Sequence, residues 1–337
     1  MATLSVIMSV YNEPVAWIKQ AIASILNQTF KDFEFIIVDD NPRGDEQINI
    51  LQYYKNIDSR IELVFNKENV GLAHSLNKAI EISRGKYIAR MDADDIAAPS
   101  KFQMQYDYLE MHPNVAVCGT WGKKFGNIPV LSYKKYETPV SPEQVKVASL
   151  FASPMIHPSV MLRSDVVRNY MYNVNLRKAQ DYDLWGRLLL HDIILCNIPC
   201  CLLKYRITQK SQTTETLSKQ ARVAEEVRKG LLAYLGIDFS EKELVLHNEI
   251  CNGRICDVAA AEQWLLKLRE FLSVRYSSQT SYINQLIAAR WALLCLNANI
   301  SYKVYRKSEI YSGFSWINTL RFLKRNVKQM KINILYN

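Results

Sequence analysis

The sequence predicts an α/β protein: a mainly parallel sheet flanked by helices, followed by an α-helical C-terminal region. Three observations carry that expectation. Apolar, β-branched runs alternate with segments of helical periodicity up to about residue 91. The runs are apolar almost without interruption, as strands covered by helices on both faces should be. Beyond about residue 214 only helical periodicity remains.

Leu4–Val10 is the first strand. Residues 13–28 then set Val15, Ile18, Ile22, Ile25 and Leu26 at helical spacing. Residues 33–38 form a second apolar run, closed by the turn cluster Asp39-Asp40-Asn41-Pro42. A helix at 48–54, a strand at 61–65, a helix at 71–83 and a strand at 87–91 follow. In the second of these helices Leu72, Leu76, Ala79 and Ile80 share one side, and Arg84-Gly85 stops it. Such alternation implies right-handed βαβ units. Residues 99–112 and 180–190 read as helices, and 115–119, 160–163 and 193–206 as strands. Five further helices are expected at 214–235, 241–248, 259–276, 281–296 and 315–331, after a polar boundary at 206–214.

The 337 residues suffice for a catalytic domain plus an appendage. A hydrophobic share of 49% excludes a disordered chain, and 11 Gly with 10 Pro exclude a collagen-like one. The net charge of +9 favours an anionic partner without choosing among nucleic acid, acidic membrane and phosphorylated substrate. No window is apolar enough for a transmembrane helix. The N-terminus lacks a basic region and runs directly into a strand, so it reads as part of the fold and not as a signal peptide. The seven Cys are odd in number and match no zinc spacing, which suits free thiols in a reducing cytoplasm.

In a parallel sheet, ligands gather beyond the C-terminal strand ends. Here those ends are Tyr11-Asn12-Glu13, Asp39-Asp40, Asn66-Lys67-Glu68-Asn69 and Asp92-Ala93-Asp94-Asp95. Polar groups from four strands thus converge on one edge. Three carboxylates within four residues repel one another unless a cation neutralises them. Hard oxygen ligands suit Mn²⁺ or Mg²⁺, which keep positions open for substrate phosphates.

Seven segments, in order, carry a resemblance. They are Ser5-Val-Ile-Met-Ser-Val-Tyr-Asn-Glu13, Ser24-Ile-Leu-Asn-Gln-Thr-Phe30, Phe35-Ile-Ile-Val-Asp-Asp40 and Asn69-Val-Gly-Leu-Ala-His-Ser-Leu-Asn77. Next come Arg84-Gly-Lys-Tyr-Ile-Ala-Arg-Met-Asp-Ala-Asp-Asp95, His157-Pro-Ser-Val-Met-Leu-Arg163 and Gln180-Asp-Tyr-Asp-Leu-Trp185. Together they resemble a family 2 glycosyltransferase with the GT-A fold, a Rossmann-like sheet. Within that family the chain is similar to bacterial enzymes building O-antigen, capsule or exopolysaccharide repeat units. The resemblance implies a GT-A catalytic domain at 1–210, with nucleotide-sugar binding in 1–100 and the acceptor side in 101–210. Residues 211–337 would form a helical region at a membrane surface or in a homo-oligomer.

The resemblance implies roles residue by residue. Val10, Tyr11, Glu13 and Asp39 would hold the nucleoside, with Asp40 nearby; a carboxylate can accept from uracil N3–H. Asp92 and Ala93 would meet the ribose, and Asp94 would ligate the metal directly, with Asp92 and His157 as further ligands. Lys67, Asn69 and Arg90 would complete the base or diphosphate site. Arg206 and Lys210 would close over the donor. Asp181 is the general base, with Asp183 in reserve; Gln180 stands where the family usually has Glu. His157 or Trp185 would meet acceptor or sugar, and Trp185 reads equally as core. The expected reaction is inverting transfer of a hexose or N-acetylhexosamine from a nucleotide sugar, UDP-linked by preference. The acceptor would be a glycan on undecaprenyl diphosphate at the cytoplasmic face of the inner membrane.

Trp316, Leu320, Leu323, Val327, Met330 and Ile334 form an apolar stripe flanked by Arg321, Lys324, Arg325, Lys328 and Lys331. That pattern suits an anionic membrane surface, a protein partner or the chain's own domain. Three other functions fare worse. A sugar nucleotidyltransferase needs a Gly-rich basic loop after the first strand, and Val10–Pro14 has none. A non-catalytic scaffold predicts loss of Asp92, Asp94 or Asp181, and all three are present. A nucleic-acid binder predicts basic residues interleaved with aromatics in a recognisable module, which is missing.

Overall fold

The structure, a computed structural model, describes residues 2–126, 134–207, 214–254 and 257–311. Strands and helices alternate as the apolar runs require: β1 (Leu4–Val10), α1 (Val15–Leu26), β2 (Phe33–Asp39), α2 (Asp45–Ile57), β3 (Ile61–Phe65), α3 (Leu72–Ile82) and β4 (Tyr87–Asp92). β1 lies between β2 and β4, and β3 lies beyond β2, all parallel. Every side chain of β2 is buried, consistent with a strand covered on both faces. α1 turns Ile18, Ala21, Ile22 and Ile25 into the core at helical spacing.

The chain continues through β5 (Ile96–Ala97), α4 (Lys101–Met111), β6 (Val115–Gly126), β7 (Lys135–Tyr136), α5 (Pro142–Ser149), β8 (Met161–Arg163), α6 (Ser164–Tyr170), α7 (Gln180–Leu190) and β9 (Ile194–Ile207). The sheet order is β3-β2-β1-β4-β8-β6-β9-β5, with β7 on β6. The first four strands form one parallel block, and β6 and β9 pair in parallel as well. β8 is antiparallel to both β4 and β6, so the whole sheet is mixed. β6 runs on to Gly126, beyond the expected end at 119, because β9 pairs with it as far as Gly126↔Ile207. Polar Lys123 and Lys124 hide that extension from an apolar pattern.

The chain divides into two units: Met1–Ser149 with Ser153–Leu231, and Leu150–Ala152 with Leu232–Asn337. α8 (Thr214–Tyr234) begins in the first. There a Cβ on Gly186 of α7 would lie 2.7 Å from Val227 Cγ1, so only glycine permits this approach of the two helices. The second unit holds α9 (Glu241–Asn252), α10 (Val258–Arg275), α11 (Thr280–Asn297) and α12 (Tyr302–Tyr305). A capping box of Ser240 and Glu243 starts α9, and Asp257 caps α10. Buried His247 accepts from Trp264 Nε1 at 3.1 Å, which places its proton on Nε2, where it donates to Leu150 O at 2.8 Å. Among the described residues no helix is long and apolar enough to cross a membrane. The helix expected at 315–331, together with Lys210 and Cys256, lies outside the described residues. The other six cysteines are free thiols.

Candidate active site

The C-terminal ends of β1 to β4 open on a cleft of about 570 Å³ lined by Tyr11, Glu13, Asn69, Asp92, Asp94 and, from later in the chain, Tyr205. Tyr11 is 49% exposed, and its backbone N–H donates to Glu13 Oε2 at 2.8 Å, folding the turn after β1. Val10 contributes no side chain to the cleft. It is buried, and its carbonyl accepts from Asp40 N at 2.8 Å.

Adjacent Asp39 and Asp40 have opposite fates. Asp40 Oδ1 accepts from Asn66 Nδ2 and Val70 N, both at 2.9 Å. Its Oδ2 accepts from Asn69 Nδ2 at 2.8 Å and Gly71 N at 2.9 Å. Asp40 thus ties β2 to the first turn of α3, where Gly71 holds φ at 94° and a carboxylate meets the positive helix end. Asp39 Oδ1 accepts from Asn41 N at 3.0 Å, whereas its buried Oδ2 has no protein partner. Burial pushes the Asp39 carboxyl above its ordinary range. Lys67 is exposed and does not line the cleft.

One ligand oxygen from each of Asp92, Asp94 and Asp95 lies within 4.8 Å of the others. Buried Arg90 pairs with Asp92, while its Nε and Nη1 have no hydrogen-bond partner. Arg206 braces the same turn. Its backbone N–H donates to Asp95 Oδ1 at 2.7 Å and its Nε to Asp94 O at 2.6 Å. Its guanidinium is stacked 4.6 Å from the Trp17 ring centroid and 4.3 Å from that of Phe125. Arg90 and Arg206 therefore act here on the acidic turn, not as free arms reaching a diphosphate. Buried Asp95 Oδ2 remains without a partner. Burial, followed by the charges of Asp92 and Asp94, pushes the Asp95 carboxyl far upward. Three crowded carboxylates and one orphaned buried oxygen fit a hard divalent cation. Ala93 is buried beneath the turn.

His157 is outside that carboxylate group. Its Nε2 lies 2.8 Å from Tyr172 Oη, and its ring meets Trp185 edge-on with centroids 6.2 Å apart. Burial and then the Arg90 charge hold the imidazole well below its ordinary pKa, so it is neutral. Trp185 is fully buried in α7, which gives the core half of its expectation and no stacking surface in this structure. Asp181 is the second residue of α7, which starts at Gln180 after Ala179, a left-handed N-cap with φ 55°. Ser153 Oγ donates to Asp181 Oδ2 at 3.3 Å, and burial raises the Asp181 carboxyl above its ordinary range. Asp183 is occupied by Arg187 at 2.9 Å.

The sequence model of glycosyl transferase family 2 matches residues 5–170. An uncharacterized glycosyltransferase of Methanocaldococcus jannaschii is 38% identical over 221 residues, covering 64% of this chain and 75% of the relative. The chain belongs to glycosyltransferase family 2. The O-antigen biosynthesis glycosyltransferase WbnJ of Escherichia coli is 33% identical over 223 residues, 64% of this chain and 84% of that one. A crystal structure of Staphylococcus aureus TarS in complex with UDP-GlcNAc superposes with a TM-score of 0.56 at 15% identity, covering 92% of this chain and 89% of that one. That likeness shows the shared GT-A fold.

For this family 2 glycosyltransferase, the structure brings Tyr11, Glu13, Asn69, Asp92 and Asp94 to one cleft. Several further side chains at the cleft or beside Asp181 were not singled out from sequence. Tyr205 lines the cleft and meets Tyr136 edge-on at 5.8 Å. Arg177 and Lys178 line its far side. Their position just before Gln180-Asp181 was the available signal. Ser153 had none.

Proposed function

We propose that this glycosyltransferase binds a nucleotide sugar, most simply UDP-linked, with a divalent cation, and inverts the anomeric centre on transfer. The observation that carries the reading is the acidic turn of Asp92, Asp94 and Asp95 beside the cleft, while Asp39, buried at the end of β2 next to cleft-lining Asp40, keeps one acceptor oxygen unused. A uracil N3–H needs an acceptor of that kind, and an ionised Asp39 offers acceptors and no donor. Asp94, with Asp92 and Asp95 behind it, would hold Mn²⁺ or Mg²⁺. Such a cation, when bound, supplies positive charge for a leaving diphosphate.

Asp181 takes the proton of an acceptor hydroxyl. The hydroxyl oxygen forms its bond to the anomeric carbon as the bond from that carbon to the diphosphate oxygen breaks. The diphosphate leaves with the electron pair, and one displacement inverts the centre. Burial of Asp181 makes it a stronger base than an exposed carboxylate, and Ser153 orients one of its oxygens. Arg90 adds a fixed positive charge in the field of Asp92, Asp181 and His157.

The O-antigen role of the E. coli relative supports a surface-polysaccharide acceptor, here a glycan on a lipid diphosphate. An enzyme with that acceptor works peripherally on the cytoplasmic face of the inner membrane. UDP-GlcNAc bound by TarS supports a uridine donor.

The test is a melting-temperature panel of UDP, GDP, CDP and dTDP, each with and without Mn²⁺. A ligand bound only by the native state raises the melting temperature. A Mn²⁺-dependent rise with UDP, lost in Asp94→Ala, is expected. A flat response to all four nucleotides overturns the donor site.

A further inference from the structure

A second cavity adjoins the donor cleft and has the opposite electrical character. It measures about 650 Å³ and is lined by Arg177, Lys178, Lys219 and Arg222, with Leu176 and Val223 as its apolar walls. Among the described residues no acidic side chain lines it. The donor cleft presents Glu13, Asp40, Asp92 and Asp94 against the same Arg177 and Lys178, so its lining acids outnumber its bases. A diphosphate brought with a cation balances the first cavity. In the second, no ion pair among the described residues neutralises Arg177, Lys178 or Arg222.

All four cations are exposed, but the backbone that carries them is held in place. One wall is the 171–179 loop. Asn77 holds it at Tyr172 by two bonds, Oδ1 accepting from Tyr172 N at 2.9 Å and Nδ2 donating to Tyr172 O at 2.8 Å. Arg187 holds its start by donating to the carbonyls of Tyr170 and Met171. Non-glycine residues with positive φ stand at both ends, Met171 at 37° and Ala179 at 55°. Such conformations persist only where surrounding contacts enforce them. The other wall is α8, seated on α7 where Gly186 admits Val227.

We propose that this groove seats the diphosphate of the acceptor, separate from the diphosphate of the donor. The proposal rests on the reading of the chain as a transferase acting on a lipid-diphosphate-linked glycan, and it assigns that acceptor's charged group a place. Two cations shared between the cavities put the two phosphate groups side by side. Lys219 and Arg222 line only the second cavity.

The test uses the full chain and inorganic pyrophosphate in EDTA, followed by calorimetry, with farnesyl diphosphate as the lipid-linked probe. The variants are K219E/R222E and the milder R222Q. Wild type is expected to bind both probes. K219E/R222E is expected to weaken both by about tenfold or more, because two attractive charges become repulsive. R222Q is expected to weaken both by less. The melting rise with UDP and Mn²⁺ is expected to persist in both variants, which also shows that they fold. Pyrophosphate binding of equal strength in wild type and K219E/R222E overturns the proposal, as does no binding to wild type. Farnesyl diphosphate failing where pyrophosphate binds removes the lipid-linked source. Loss of binding to phosphatidylglycerol vesicles with pyrophosphate binding intact makes the groove a membrane-surface contact and overturns it too. If wild type lacks the UDP response, the donor reading fails, an outcome separate from all of these.

Discussion

Asp40→Asn isolates what holds the donor cleft in shape. The substitution conserves volume and creates no cavity. Each carboxylate oxygen accepts from two donors, and an amide NH₂ accepts from none. Whichever way the new amide turns, two donors lose their acceptor. The cheaper arrangement puts the NH₂ on the Oδ2 side, because Asn69 is exposed and can turn to water, whereas Asn66 is buried. Gly71 N–H is then stranded and Val70 N–H keeps its bond. Two charge-assisted bonds at about 1.5 kcal/mol each give about 3 kcal/mol. Hydrogen exchange reads that directly. With about 1.4 kcal/mol per factor of ten, the Gly71 amide should exchange roughly 100-fold faster, and Val70 less. Because residues 69–73 line the cleft, the UDP response should fall with it. A folded Asp40→Asn protein with unchanged Gly71 protection would refute the idea that this carboxylate holds the turn.

Three other outcomes follow from the same geometry. Asp181→Asn should lower kcat by roughly 10²–10⁴-fold while keeping the UDP response. Burial raises the Asp181 pKa and the base works deprotonated, so the wild-type rate should fall on acidification through a value above the ordinary carboxylate range, a limb absent in the variant. Lys101 is fully buried without a partner for Nζ, and burial, then Arg90, lowers its pKa from 10.5 to about 7. The unfolded chain therefore binds more protons between those values, and wild-type stability should rise with pH across that window. Lys101→Met should abolish the slope and stabilise the neutral-pH protein by at most about 5 kcal/mol, measured by urea unfolding at several pH values. Gly186→Ala should destabilise by about 1–3 kcal/mol through its clash with Val227, and Val227→Ala should recover part of the loss; additive single effects would disprove the contact.

The parallel block of β1 to β4 was legible because these strands are apolar runs that pair mainly with one another and are covered by flanking helices, β4 alone reaching on to β8. Their polar ends announced the cleft for the same reason. What escaped was set by long-range pairing. The extension of β6 over Lys123 and Lys124 has no apolar signature and exists because β9 lies alongside. α5 and α6 are too short for periodicity to stand out. At the site, residue type found the carboxylates but not their division of labour. Only the positions of Asn66, Val70 and Gly71 show that both oxygens of Asp40 are occupied, whereas Asp39 keeps one free. Arg206 looked like a free cation over the donor because sequence cannot show that Trp17, Phe125 and the acidic turn already hold it.

That last arrangement has a consequence for how the protein is made. The acidic turn is complete in the growing chain by residue 95, but the bonds that brace it come from Arg206, 111 and 112 positions later. Ile96 and Ala97 likewise wait for Lys204 and Leu203. Until β9 emerges, three carboxylates face one another with Arg90 alone against them, and the pairing that closes the loop belongs to the slow, non-local class. The first hundred residues contain Asp39, Asp92, Asp94 and Asp95, the carboxylates proposed to hold donor and cation, yet without β9 their acidic turn lacks its brace. Cation affinity should be gained late in folding, together with the last strand, so that the chain acquires its chemistry only when its acceptor side is already in place.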